Sequence, residues 1–352
     1  MSTLIDASPI PAPVLHAFQL QAAPVWQLQD GLINHTFKAL HQNGTALLVQ
    51  RINTHIFSTP QHIQRNYQNI AKAIRHLFNL PVMVPTQQGL PGYRHNNSEY
   101  WRCFTFINDG LTLQATPTPA MAGQAARAFA QYARALSTQQ VQLHTIIPHF
   151  HNLVLRQKQL EEAIADAHGE RLCKALPLIE EAAQYVFLVR HYKEWVANPT
   201  QYPPRPMHHD AKMSNLLFHK DSLQVITPID LDTTQCGLFF SDLGDLIRSM
   251  VPSHHEHHPI VEDLYLKTDI LEALIEAYTQ QTENWLTPQE KAALHLSGPL
   301  LLYMQAIRFL TDFLKGDPYY QIQHPTQNLE RTANQLRVLH LICKYFGLVT
   351  TS

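Results

Sequence analysis

Cysteine is scarce in these 352 residues: Cys103, Cys173, Cys236 and Cys343 are the only four, and none stands at the spacing of a zinc knuckle or a redox pair. They read as reduced thiols in or near the core. Long apolar runs are also lacking. The longest, Leu300 to Leu310, is interrupted by Gln305 and Arg308 and is too short to span a bilayer. The start carries Asp6 and scattered prolines, without the basic opening and apolar stretch of a secretory signal, so a cytoplasmic location is expected. Charge of one sign is not concentrated anywhere. The formal net charge is −2 and Lys and Arg are spread along the chain, which leaves no electrostatic footprint for nucleic acid or an anionic membrane. A small-molecule partner fits better, taken up by a monomer or a weak homodimer. Internal repeats and low-complexity segments are absent as well.

What is present is a globular balance, 45% hydrophobic and 15% charged, in a chain longer than one core usually holds. Two lobes are expected, with the active site between them. The histidine count is unusual at 22, and the run His254-His255-Glu256-His257-His258, flanked by Pro252 and Pro259, reads as an exposed loop, with adventitious metal binding as the alternative.

The first hundred residues carry strand signals at Val25 to Leu28, Ile33 to Leu40 and Ala46 to Ile52, the last two joined by an Asn43-Gly44 turn. The period then changes to that of a helix, with Ile63, Tyr67, Ile70, Ile74 and Leu77 on one face and Pro60 near its start. A second hairpin follows, ending in Tyr100 to Ile107. Residues 1–107 therefore read as a small mixed lobe, β-β-β-α-β-β, and 108–352 as a larger lobe. Helical patterns dominate the latter, over Pro119 to Leu136, Asn152 to Ala167, Leu176 to Val196, Thr268 to Gln280, Pro288 to Leu314 and Thr326 to Phe346. One strand-rich island interrupts them, Met207 to Leu238, and an island of that kind points to function. The fold class is α+β.

The island holds His208-His209-Asp210-Ala211-Lys212-Met213-Ser214-Asn215, then Pro228-Ile229-Asp230-Leu231-Asp232. Phosphoryl transfer from ATP needs a carboxylate to accept or orient an acceptor hydroxyl and oxygen ligands to hold Mg²⁺ against the phosphates. His-x-Asp-x-x-x-x-Asn followed by a later Asp has the order of a kinase catalytic loop and metal-binding strand, with Asp210 as base and Asn215 and Asp230 as metal ligands. The competing reading makes His208 a packed core imidazole, Asp210 a turn cap and Asp230 a loop anchor. For His208 the supporting role is preferred. His209 takes the place of an arginine that in protein kinases answers a phosphorylated segment, which argues against a regulated protein kinase.

On these residues the chain resembles the aminoglycoside phosphotransferase and choline kinase-like superfamily, through His208 to Leu217, Ile229 to Thr233 and Ser241-Asp242-Leu243-Gly244-Asp245. Within it the chain is similar to the N-acetylhexosamine 1-kinases, through Gly31-Leu32-Ile33-Asn34, Gln50-Arg51-Ile52-Asn53-Thr54 and the segment Arg308 to Asp317. The resemblance implies a bilobal protein-kinase-like fold with a nucleotide-binding N-terminal lobe. It also implies transfer of the γ-phosphate of ATP, with Mg²⁺, to the anomeric hydroxyl of a hexosamine, giving a sugar 1-phosphate. Asp232 joins the metal ligands or contacts the sugar, and Arg308 and Tyr319 contact the sugar. For Arg308 an ion pair with Asp312 or Asp245 is the alternative.

Gly31 and Asn34 lie in the first hairpin turn, where a phosphate-covering loop belongs; one glycine stands where a protein-kinase loop uses three, and an ordinary turn is the alternative. Arg51 ends the third strand, where a lysine normally meets the phosphates, with Gln50 as rival because adjacent strand residues face opposite ways. No glutamate partner is evident between Gln61 and Leu77. Asp242 and Asp245 are expected to anchor the catalytic loop. Two other readings stay open: a kinase of an aminoglycoside, choline, homoserine or methylthioribose on the same fold, and a non-catalytic nucleotide-binding pseudokinase.

Overall fold

The computed structural model describes residues 2–5 as backbone, then 9–28, 34–96, 99–113 and 117–349. In chain order the elements are β1 (Ser2–Ile5), α1 (Ala12–Ala17), β2 (Leu20–Leu28), β3 (His35–His41), β4 (Ala46–Ile52), α2 (Pro60–Ile74), β5 (Met83–Val84), β6 (Tyr93–His95), β7 (Glu99–Thr105) and β8 (Gly110–Leu111). Helices α3 (Pro119–Thr138), α4 (Leu153–Asp166), α5 (Gly169–Ala183) and α6 (Phe187–Ala197) precede β9 (Arg205–Met207), β10 (Leu216–His219), β11 (Val225–Pro228) and β12 (Gln235–Gly237). The chain ends with α7 (Phe240–Met250), α8 (Thr268–Thr282), α9 (Pro288–Ala293), α10 (Ser297–Leu314) and α11 (Gln327–Tyr345). Two compact units result: Met1–Leu111 with Gln140–Pro148 and Leu217–Asp232, and Thr112–Gln139 with His149–Leu216 and Thr233–Ser352.

The first unit is built on an antiparallel sheet in the order β1-β2-β3-β4-β7-β5, with β6 also on β7. The β3–β4 turn forms where expected. Gly44 takes φ +87, a conformation that carries no penalty without a Cβ, and Asn43 Oδ1 accepts the Thr45 amide at 3.0 Å. Helix α2 buries Ile63, Tyr67, Ile70 and Ile74 of the stripe read from the sequence, whereas Leu77 lies past the helix end and is exposed; the Tyr67 ring sits 4.7 Å from that of Phe104. One sheet face is closed by an apolar cluster that includes Val14, Phe18, Val25, Phe37, Val49 and Trp101. Its α1 contribution and strand β1 carry periods too short to be seen in the sequence. A small sheet β11-β10-β8 completes this unit.

In the second unit α10 is buried almost all round, which suits its run of leucines and explains why an apolar stretch of this length lies in the core. It packs against α4, α5, α7 and α11. The alanine-rich α3 packs closely along α8, with Gly123 facing Ala273. The expected single helix over Leu176 to Val196 is two, α5 and α6, because the chain turns at Gln184 to Val186. Pro288 to Leu314 likewise divides into α9, a 3₁₀ turn at Leu294–Leu296, and α10. Strand β9 pairs with β12, and Arg205 at its start makes a two-bond pair with buried Glu290, Nε to Oε1 at 2.8 Å and Nη2 to Oε2 at 2.7 Å. That pair fixes the strand leading into the residues of interest. Cys103 and Cys343 are buried, Cys173 and Cys236 exposed, and all four are free. Among the described residues no helix is long and apolar enough to cross a membrane.

Candidate active site

In the second unit, the loop after β9 is held from beneath. Asp242, in the first turn of α7, accepts the backbone amides of His208 at 3.0 Å and His209 at 2.9 Å, one on each carboxylate oxygen. Burial pushes the Asp242 carboxyl up to about 7 against the pull of those two amides. Thr233 Oγ1 closes the other side by donating to the His208 carbonyl at 2.7 Å. The His208 ring is fully buried, edge-on to Phe129 and Tyr132. So His208 and Asp242 brace the loop. Asp245 instead pairs with Arg248 at 3.3 Å, and Arg248 also bonds Glu256 at 3.2 Å.

His209 adopts φ +66, a backbone strain that only a tightly determined loop retains. Its ring lies against Gly237, where an added Cβ would come within 2.3 Å of Cε1. Only glycine leaves room there. Burial, then His208, drives its pKa down to about 3, so the ring is neutral.

Asp210 follows, half-buried. Lys212 Nζ donates to its Oδ2 at 2.9 Å, and Asn215 Nδ2 donates to the same oxygen at 2.8 Å and to the Asp210 carbonyl at 2.8 Å. Asp210 and Asn215 are thus in direct contact across the 3₁₀ turn Met213–Asn215. Burial opposes ionisation, but Lys212, with help from His208 and Asn215, holds the Asp210 carboxyl below its ordinary value. Both donors sit on Oδ2. Oδ1 has no hydrogen-bond partner among the described residues.

Asp210 lines a pocket of about 100 Å³ with His151, Asp245, Arg248, Gln305 and Arg308. Arg308 donates to Gln305 Oε1 at 3.1 Å and lies over the rings of Tyr319 and Tyr320, at 5.8 and 5.5 Å. Neither expected acid answers it. Asp312 is taken by the backbone amides of Tyr319 and Tyr320 and by Asn328, and Asp245 by Arg248. Among the described residues Arg308 has no carboxylate partner, and Tyr319 is exposed.

In the first unit a polar ladder runs along one face of the sheet. Thr36, Gln50 and Arg102 are opposed in register, and Gln50 donates to Thr36 Oγ1 at 3.2 Å while accepting from Arg102 Nε at 3.0 Å. Arg102 Nη2 reaches Asp232 Oδ2 at 2.7 Å, and Asn34 Nδ2 donates to the same oxygen at 2.8 Å. Asn34 Oδ1 accepts the Asn53 amide, so Asn34 is bonded at both ends. Arg51 points to the opposite face, pairing with Glu99 at 3.1 Å. Asp230 is exposed and takes φ +55. Gly31 lies outside the described residues.

Sequence reading missed Arg102 and His151. Nothing local marked either: Arg102 meets Gln50 only through the β4–β7 register, and His151 meets its partners from distant segments.

The fold is protein-kinase-like and of the α+β class. The chain belongs to the phosphotransferase enzyme family, whose model matches residues 25–295. It is similar to an aminoglycoside phosphotransferase from Alicyclobacillus acidocaldarius (TM-score 0.63, 16% identity, 98% of this chain and 97% of that one). It is also similar to a microcompartment-associated aminopropanol kinase (TM-score 0.62, 15% identity, 96% of each chain). A third is an amicoumacin kinase in complex with AMP-PNP and Ca²⁺ (TM-score 0.58, 13% identity, 92% and 91%). At such identities the likeness carries the fold, and the acceptor must be argued from the site.

Proposed function

We propose that this protein is an ATP- and Mg²⁺-dependent kinase that phosphorylates a sugar hydroxyl, the anomeric hydroxyl of an N-acetylhexosamine, to give a sugar 1-phosphate. The observation that carries the reading is the unshared Oδ1 of Asp210 in a pocket that also holds Arg308.

Asp210 is kept ionised by Lys212, so Oδ1 accepts the proton of the incoming hydroxyl. The sugar oxygen bonds to the γ-phosphorus, the bond to the bridging oxygen breaks, and ADP departs. Arg308 and Tyr319 hold the sugar. With Arg248 paired to Asp245 and Glu256, Arg308 is the cation in this pocket without a carboxylate partner among the described residues, and an ammonium-bearing acceptor placed against it is disfavoured.

Among the described residues no group of three or more His, Cys, Asp or Glu builds a metal cage. That suits Mg²⁺, which is held by one or two protein oxygens together with substrate phosphates. Each residue is of the oxygen-bearing type Mg²⁺ takes: Asn215 turns its Nδ2 to Asp210, leaving an amide oxygen, and Asp230 carries a carboxylate. Asn215 and Asp230 would hold the ion. When bound, it offsets charge on the phosphate oxygens.

Arg102 replaces Arg51 in our reading as the cation organising the nucleotide side, since it shares a sheet face with Gln50 and Thr36 while Arg51 points to the opposite face, toward Glu99. Asp232, buried under Arg102 and Asn34, acts as their strut in place of a sugar contact. ADP release with N-acetylglucosamine, N-acetylgalactosamine, galactose, choline and kanamycin tests the reading. Turnover confined to the hexosamines is expected; turnover of choline or kanamycin alone overturns it.

A further inference from the structure

Among the polar side chains around the Asp210 pocket that the reaction above does not use is His151. His151 stands just before α4, its ring stacked on Phe150 at 4.7 Å and 11°. Its Nδ1 is hydrogen-bonded to Ser241 Oγ and lies 3.3 Å from His209 Nδ1; Ser241 Oγ is 2.6 Å from that same His209 nitrogen. One hydroxyl therefore serves two imidazoles.

Ser241 has a single proton. It donates to one Nδ1 and accepts from the other, so the two rings take opposite tautomers. Both are neutral: burial, then His209 and the guanidinium groups of Arg308, Arg248 and Arg156, holds His151 well below the ordinary histidine value. With Nδ1 committed, Nε2 of His151 has no partner among the described residues, although the ring lines the pocket. An imidazole nitrogen placed this way, donor or lone pair, is satisfied by a hydroxyl, which both donates and accepts.

We propose that His151 recognises a second hydroxyl of the acceptor, one other than the hydroxyl that is phosphorylated, through Nε2, and that Ser241 and His209 position its ring. The acceptor is then a polyol of sugar type and not a simple amino alcohol. The inference rests on the kinase reading and adds a specificity residue to it.

The test is a cycle of His151 variants against a hexosamine and its singly deoxygenated analogues, with ADP release as readout. His151→Asn keeps a polar atom near Nδ1 for Ser241 but removes Nε2; His151→Gln carries its amide out to the Nε2 position. With the full sugar, Asn is expected to lose roughly 10- to 100-fold in kcat/KM, mostly in KM, and Gln to recover much of that loss, as for a hydrogen bond between neutral groups in a desolvated site. With one particular deoxy analogue, wild type and His151→Asn should converge. Losses of equal size on every analogue, or equal losses for Asn and Gln, assign His151 a structural role and overturn the proposal. Absence of turnover by wild type with any sugar overturns the sugar-kinase reading, and the role of His151 with it. Thermal melting of each variant separates misfolding from lost recognition. Should the Asn variant fail to fold, convergence in the His151→Gln background decides in the same way.

Discussion

Arg102 and Asp232 are joined at 2.7 Å with 3% and 2% of their surfaces exposed, although they stand 130 positions apart in the chain. A charge pair that deep is held by geometry: Gln50 takes the guanidinium Nε and Asn34 shares the carboxylate oxygen. Removing one partner leaves the other charged and desolvated. Arg102→Met or Asp232→Leu alone should cost about 3–5 kcal/mol in urea denaturation, and the double variant less than the sum of the two. Strict additivity would mean that the pair is not coupled.

The buried neutral state of His209 makes a pH prediction. Its folded pKa of about 3 lies below the unfolded value, so the unfolded chain binds the extra proton between those values and stability falls on acidification through that window. From pH 6.5 to 5 the effect is about 2 kcal/mol. Asp242 and Asp245, raised to about 7, act in the opposite sense, stabilising the fold below pH 7 and less so as pH rises through that value. The His209 share is isolated by comparison: wild type should lose more stability between pH 6.5 and 5 than His209→Asn does. Parallel curves would contradict a buried neutral ring.

Two glycines separate stability from catalysis. A Cβ at Gly244 meets the Ser297 carbonyl at 2.6 Å between α7 and α10, while one at Gly237 meets the His209 ring. Each substitution to alanine should cost about 1–3 kcal/mol by overpacking. Only Gly237→Ala should also lower kcat in the fraction that folds, because the displaced ring adjoins Asp210.

Arg308 lacks a carboxylate partner among the described residues, so its loss strands no buried acid. Arg308→Ala should raise the acceptor KM roughly 10- to 100-fold, the worth of hydrogen bonds to a charged group, with little change in melting temperature. A large fall in melting temperature with unchanged KM would make it a structural residue.

The parts of the site that the sequence disclosed are those whose members lie close along the chain. Asp210 and Asn215 are five positions apart, and their contact follows from the tight turn that the spacing requires. Asp242, 34 positions from His208, is the exception, read as an anchor from its place in a first helical turn; Asp245, read the same way, pairs with Arg248 instead. Arg102 was hidden because its partner lies in the 3₁₀ turn after β11, and no local pattern reports a contact across so many residues. His151 was hidden for the same reason: Ser241 and His209 reach it from distant segments. Strand β4 was read to the residue, since an Asn-Gly turn fixes its start. Helices α5 and α6 were merged because an apolar stripe persists through the turn that divides them.

The central claim is that the unshared oxygen of Asp210 takes the acceptor's proton. Single-turnover transfer from radiolabelled ATP to an N-acetylhexosamine, wild type against Asp210→Asn, measures it directly. A rate lower by about 10²–10⁴-fold is expected, with nucleotide binding and melting temperature preserved. A variant that transfers phosphate at near the wild-type rate would contradict it.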